Sequence, residues 1–269
     1  MCGIIVMFKK DLDWAEDLWM RLEHRGTDSF GYYGRTREGR FIWDKWIYNP
    51  EIKSLPMEWV ILHNRWASVG GKSNYDIAHP IVRKKTYLIH NGTKRELYYS
   101  IRPAKSDTDA ISIIYHQLRN KEDIFQYLDD VGVIFLYDKK NKRIIFHRDK
   151  SRPLYINPDF KIIASEPIIA GRWRMIEPQE MIIPEEDFNL EYLLDNLILN
   201  KKEIKMTIKA DFGVCSSCFQ EKIIEPSIEN GTICPHCYYT EEYKKKKYEK
   251  GNKIEIYDDL HSDIYKSYI

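Results

Sequence analysis

The sequence predicts an α+β chain in two unequal parts: a mixed body of strands and helices, then a small cysteine-built module. Three observations carry this. Short apolar and aromatic runs of strand character outnumber helical patterns over the first part of the 269 residues. Composition shifts near residue 185, after Pro167, Pro178 and Pro184 have punctuated the chain. Beyond the shift, four of the five cysteines fall as Cys215-x2-Cys218 and Cys234-x2-Cys237, with 15 residues between the pairs. A domain prior of about 150 residues also suits one large domain or two unequal ones.

Taken in order, residues 3–8 read as a buried strand. Residues 12–23 read as a helix with Trp14, Leu18, Trp19 and Leu22 on one face. A polar loop follows, His24-Arg25-Gly26-Thr27-Asp28-Ser29. Strands are expected near 31–35, 41–46, 58–64 and 86–90, with Asn91-Gly92 as a turn signal after the last. Ser106-Asp107-Thr108-Asp109 is a cap and an acidic first turn for the helical pattern Ile111, Ile114, Tyr115, Leu118. Another helix is expected over 121–130. Strands over 132–137 and 143–148 are joined by the polar tip 138–142, and short strands follow near 154–156 and 161–164. Residues 188–199 could form an amphipathic helix. The resulting division is a body over 2–185, a linker or helix over 186–212, the cysteine module over 213–240 and a charged tail over 241–269, with the boundary between about 185 and 212.

Composition narrows the function classes. Lys plus Arg is 42 and Asp plus Glu is 41, a net charge of +1, which argues against a protein devoted to coating phosphate backbones. Hydrophobic residues at 43% and charged residues at 31% allow a sizeable core and exclude wholesale disorder. Aromatics at 13%, with 19 Tyr, favour packed β structure or contact surfaces. No run of 18 apolar residues is present, so no membrane span is expected. The apolar start is too short for a secretory signal, and its charges follow the apolar stretch. A cytoplasmic, reducing location is the expectation.

The fifth cysteine is Cys2. Removal of Met1 is favoured before a small side chain, and would leave a terminal residue carrying a thiol and an α-amine on one Cα. That amine titrates at about 7.7–8, so part of it is neutral and able to take the thiol proton. Alone, Cys2 is weak evidence, since an incidental second residue is commoner.

The downstream motifs change the weighing. The chain resembles the class II glutamine amidotransferases, the N-terminal-cysteine branch of the N-terminal-nucleophile hydrolases. Met1-Cys2-Gly3-Ile4 is similar to the family's start. Leu22-Glu23-His24-Arg25-Gly26-Thr27-Asp28-Ser29-Phe30-Gly31 resembles its His-Arg-Gly-Pro-Asp-Ser-x-Gly element, with Thr27 where Pro is usual. His63-Asn64-Arg65-Trp66-Ala67-Ser68-Val69-Gly70 resembles its His-x-Arg-Trp/Tyr-Ala/Ser-Thr/Ser-x-Gly segment. Ala78-His79-Pro80, His90-Asn91-Gly92, Ser106-Asp107-Thr108-Asp109, the run from His147 to Leu154 and Ala164-Ser165-Glu166 follow in the family's order. The resemblance covers roughly residues 2–185 and implies a four-layer αββα sandwich with Cys2 at the start of the first strand.

It also implies roles. Cys2 would attack the side-chain amide carbon of L-glutamine, forming a γ-glutamyl thioester. The Asn91 side chain and the Gly92 N–H would hold the oxyanion. Arg65, a planar fork matched to carboxylates, would bind the substrate α-carboxylate. Asp107 would take the α-ammonium, with Asp109 as its rival. Trp66 and Ser68 would line the pocket, and Arg25 and Gly26 would hold the N-terminus. His24, His79 and His90 are expected to be structural.

The spacing of Cys215, Cys218, Cys234 and Cys237 suits a structural zinc with four thiolates in a ribbon. His236 is a minor alternative ligand. Lys244–Lys247 is a basic run, and residues 201–253 hold 11 Lys against 8 acids, a modest patch more often solvated than bound to nucleic acid. Gly70-Gly71-Lys72-Ser73 mimics the end of a P-loop, but Trp66 stands where its first Gly should be. No Ser-Gly-Gly-x-Asp-Ser loop is present, and the roughly 80 residues after the body leave no room for an isomerase or phosphoribosyltransferase domain. The reading is therefore a glutaminase subunit supplying ammonia to a separate synthase. The ribbon would dock that synthase or a nucleic acid under modification. A hydrolase of another γ-glutamyl amide and a non-catalytic zinc-ribbon adaptor remain as alternatives.

Overall fold

The computed structural model describes residues 2–47, 52–67, 74–169, 171–206, 211–214 and 221–224. The chain divides into two compact units, Met1–Ile208 and Lys209–Ile269. The first contains, in order, β1 (Gly3–Phe8), α1 (Trp14–Arg21), β2 (Ser29–Thr36), β3 (Phe41–Trp46), β4 (Met57–Arg65), β5 (Ile81–Arg83), β6 (Thr86–Asn91), α2 (Arg95–Ser100), α3 (Asp107–Gln117), β7 (Val133–Asp138), β8 (Arg143–Arg148), β9 (Tyr155–Asn157), β10 (Ile162–Ala164), β11 (Gly171–Ile176), β12 (Gln179–Pro184), α4 (Leu190–Asn196) and β13 (Leu199–Met206). In the second unit, β14 (Asp211–Val214) pairs antiparallel with β15 (Glu221–Ile224).

Period-two patterning builds two antiparallel sheets in the first unit. One runs β13-β11-β9-β10-β1-β4-β2-β3 and the other β12-β8-β7-β6-β5. Ile4, Val6 and Phe8 of β1 and Trp59 and Ile61 of β4 share a buried cluster with Tyr87 and Ile89 of β6, Phe135 and Tyr137 of β7, and Ile144 and Phe146 of β8. The two inner faces therefore pack on each other as a sandwich. The alternate residues face outward. Leu88, Ile134, Leu136 and Ile145 pack under Ile111, Ile114 and Tyr115 of α3. On the far side, Asn64 donates to the Trp19 carbonyl of α1 (3.1 Å), and Trp19 packs against Phe30 with ring centroids 5.6 Å apart. The order across the unit is helix, sheet, sheet, helix. No helix among the described residues is long and apolar enough to cross a membrane.

The differences from expectation have local causes. The helix expected over 121–130 is a 3-10 segment, Lys121–Tyr127, because a run this short does not propagate and the chain reverses at Asp130, with φ +53°. The helix expected over 188–199 is only α4; the chain then extends as β13 and satisfies the open edge of β11. Part of the stretch expected to be a linker, 186–212, thus forms β13 of the first sheet. Strands β11 and β12 lie in the proline-punctuated region. Pro184 is tolerated because it ends β12, an edge strand. Asn91 is the last residue of β6 instead of the start of a hairpin turn.

Candidate active site

The start of β1, the end of β4, the end of β6 and the N-terminus of α3 meet at one end of the sandwich. The register fixes two of these. Gly3 pairs with Asn64 in β4, so Cys2 lies beside Arg65 and Trp66. The Trp66 N–H donates to the Cys2 Sγ at 3.4 Å, and the thiol reaches the Trp66 carbonyl at 3.7 Å. Cys2, Arg65, Trp66, Gly92 and Asp107 line one cleft, together with Ile77, His79, His90, Ser106 and Thr108, around about 320 Å³ of empty space, open solvent included. Trp66 forms its rim, 54% exposed.

Burial pushes the Cys2 thiol above its ordinary value. The Trp66 N–H, the chain's amino terminus and Arg65 oppose that rise, and Asp107 adds to it. Burial draws the Arg65 guanidinium down, against the pull of Cys2, Asp28 and Asp107. The electrostatics of the thiol, the guanidinium and the Asp107 carboxylate are therefore coupled across the cleft.

A second layer fixes these groups. Arg25 Nε donates to the Cys2 carbonyl at 3.1 Å, and its Nη1 pairs with Glu166 at 2.9 Å. Glu166 also meets His24 at 2.6 Å. Burial alone would raise the Glu166 carboxyl, but His24 and Arg25 hold it below its ordinary value. Gly26 runs against the end of β4 so closely that a Cβ there would lie 2.4 Å from the Arg65 carbonyl carbon. Only glycine permits that approach. The Asp28 N–H donates to the Arg65 carbonyl (3.0 Å), and its carboxylate takes the Ala67 N–H (2.6 Å), pinning the strand as it leaves the sheet.

The acidic first turn of α3 sorts its carboxylates. Ser106 caps the helix by accepting from the Asp109 N–H at 3.1 Å. Asp109 is turned away to Arg83 (2.6 Å) and the Lys105 N–H (3.0 Å). Asp107 faces the cleft and accepts from the backbone N–H groups of Lys94 (2.9 Å) and Thr108 (2.8 Å).

Asn91 is not on the cleft wall. Its Nδ2 donates to Ser165 Oγ at 3.3 Å, and its Oδ1 is buried without a partner. The same Ser165 hydroxyl accepts from the Ile4 N–H at 2.9 Å. His79 and His90 line the cleft, yet all four of their ring nitrogens meet protein partners. Ser68 lies outside the described residues, as do Cys215, Cys218, Cys234 and Cys237. Ser165, Glu166, Asp28 and Thr108 received no role from the sequence, although each sits inside a motif read there. Their signal was adjacency to the motif residues; their geometry needed the strand register.

No family model matches the sequence, and no curated protein matches it. Among solved structures, the fold is similar to that of glutamine phosphoribosylpyrophosphate amidotransferase from B. subtilis, complexed with ADP and GMP. The TM-score is 0.52 at 18% identity, covering 80% of this chain and 51% of that one. A second similar structure, described as the allosteric regulatory enzyme of purine biosynthesis, gives a TM-score of 0.55 at 20% identity with the same coverage. The chain thus spans about half the length of each. At these identities the likeness is one of fold.

Proposed function

We propose that this chain is a glutaminase that hydrolyses L-glutamine through Cys2 and supplies the ammonia to a separate synthase. One observation carries the reading. A thiol, a guanidinium, a carboxylate and a backbone N–H from four distant segments line a single cleft. That inventory suits an amino acid with an amide side chain: Arg65 for the α-carboxylate, Asp107 for the α-ammonium, Trp66 along the stem, and Cys2 for the amide carbon. The fold likeness to glutamine-using amidotransferases agrees with it.

In the proposed reaction Met1 has been removed, and the Cys2 α-amine takes the thiol proton as sulfur attacks the amide carbon. The tetrahedral oxygen is met by the Gly92 N–H. A half-turn of the Asn91 amide would let its Oδ1 accept from the Ser165 hydroxyl and release Nδ2 toward that oxygen. The protonated amine then gives its proton to the departing nitrogen, and ammonia leaves. Water cleaves the thioester, releasing glutamate and the free thiol.

The test is to incubate the purified chain with glutamine, measuring ammonia and glutamate, and to map the site labelled by a glutamine-like electrophile. Equimolar ammonia and glutamate, with the label on Cys2 and glutamine protecting it, are expected. Neither turnover nor Cys2 labelling, with or without extract containing a partner, would sink the reading.

The four-cysteine module is proposed to hold one structural zinc, bound as thiolates by Cys215, Cys218, Cys234 and Cys237. Elemental analysis should give one zinc per chain, lost in a Cys215→Ser/Cys234→Ser variant. Metal-free purified chain under non-chelating conditions would refute it.

A further inference from the structure

Two buried imidazoles of the cleft wall, His79 before β5 and His90 of β6, are joined through the Thr108 hydroxyl of α3, and a third, His63 of β4, meets His79. The proposed chemistry assigns them nothing. Their hydrogen bonds nevertheless fix where every proton sits.

The Val131 carbonyl can only accept, so His90 Nε2, 2.8 Å away, carries the proton. His90 Nδ1 then accepts from the Thr108 hydroxyl at 2.9 Å, a closer partner for that proton than Asp107 Oδ1 at 3.4 Å. With its own proton committed, Thr108 Oγ1 accepts from His79 Nε2 at 3.1 Å. His79 Nδ1 is left bare, facing His63 Nε2 at 2.9 Å. That His63 nitrogen carries a proton, because it also lies 3.1 Å from the His90 carbonyl. The arrangement is a one-directional chain of hydrogen bonds.

An added proton on His79 Nδ1 would meet the His63 Nε2–H donor at 2.9 Å, with the bare His63 Nδ1 at 3.1 Å as the longer acceptor. The charged groups around the rings deepen that penalty. Arg65 faces His63 and His79, and Lys45 faces His79 while donating to the Ala78 carbonyl at 3.0 Å. The Asp107 carboxylate of the cleft is engaged by the Lys94 and Thr108 N–H groups and lies 3.4 Å from the Thr108 hydroxyl. Burial above all, then Arg65 for His63 and the neighbouring His63 and His90 rings for His79, holds both well below the ordinary imidazole value.

The chain's two ends matter most. Thr108 adjoins Asp107 on the first turn of α3, and the Val131 carbonyl abuts Gly92. The links thus run from the carboxylate assigned to the substrate ammonium to the backbone assigned to the oxyanion. We propose that Thr108 is a positioning residue. Through His79 and His90 its hydroxyl sets the placement of Asp107 relative to the Gly92 N–H, and so the fit of the substrate's α-amino end. This rests on the glutaminase reading.

The test compares Thr108→Val, which keeps the volume and removes the hydroxyl, with Thr108→Ser, which keeps the hydroxyl. The KM for glutamine should rise at least about tenfold in Thr108→Val and stay within about threefold in Thr108→Ser, with kcat changing less than KM in both. Nitrogen-15 histidine spectra of the native protein should show His63 and His79 as single neutral Nε2–H tautomers at pH 6. Equal KM values in the two variants would overturn the proposal. So would mixed tautomers or a charged ring in the native spectrum, which needs no variant to fold. Failure of the glutaminase reading is distinguishable, since it appears as absent turnover in the native chain before any substitution.

Discussion

Cys2→Ser should lower the turnover of glutamine by on the order of 10³-fold or more, and Cys2→Ala should leave only background, with the fold intact in both. The reasoning begins with the thiol's surroundings. Cys2 lies beside the Trp66 N–H and carbonyl, and burial holds its thiol in the neutral form. A raised thiol is a poor nucleophile near neutral pH unless a base takes its proton during attack. Because burial raises the thiol above its ordinary value, simple alkylation of Cys2 by iodoacetamide should keep rising to higher pH than that of an exposed cysteine. Glutamine turnover should instead follow the ionisation of the α-amine near 7.7–8.

The imidazoles are poor candidates for the base, because the ring nitrogens of His79 and His90 are spent on each other's neighbours. A chain carrying one uncleavable residue before Cys2 separates the two functions of that residue. Its thiol should still alkylate, while its turnover falls toward that of Cys2→Ala. Full turnover with a blocked amine would overturn the α-amine as base, and full turnover in Cys2→Ala would overturn the nucleophile.

The residues nearest the chemistry were the most legible in the sequence. Cys2, Arg65, Gly92 and Asp107 could be nominated because the order of short motifs around them resembles one family; each alone also has a structural reading. What the motifs do not encode is which of several equivalent groups is turned inward. Asp107 and Asp109 differ by two positions on a helix start, and only the Arg83 and Lys105 contacts show why Asp109 faces away. Asn91 and Gly92 are neighbours, yet strand alternation sends the Asn91 side chain toward Ser165 while the Gly92 backbone meets the cleft. The second layer was illegible for the same reason: Glu166 reaches Arg25 across 141 residues of sequence.

At the level of the fold, β1, β3 and β8 have the bounds their residues imply. Elements governed by edge pairing do not. β13 follows a helical stretch and is a strand because β11 offers an unpaired edge, a tertiary fact that local propensity cannot carry.

Gly92→Ala is expected to be the most damaging alanine substitution among the described glycines, for stability and activity together. A Cβ at this position would lie 1.6 Å from the Val131 carbonyl oxygen, 2.8 Å from its carbon and 2.6 Å from His90 Nε2. The first two are backbone atoms, so no side-chain rotation relieves the overlap. Nor can the opposing segment simply retreat. A Cβ on Gly132, at φ +110°, would lie 2.3 Å from the Asn91 carbonyl oxygen, and its N–H is held by Asp149 at 2.5 Å. Separating the strands would break the His90–Val131 bond and, through Thr108, loosen the start of α3. The stability loss should therefore reach or exceed about 3 kcal/mol, the upper end for overpacking, measured by denaturant unfolding. Displacing the N–H assigned to the oxyanion should cost a further factor of about 10²–10³ in kcat, measured at a temperature where the variant remains folded. The two readouts answer different questions. A folded Gly92→Ala with native kcat would remove the Gly92 N–H from the mechanism, whereas native stability would mean that the Val131 segment yields where its contacts say it should not.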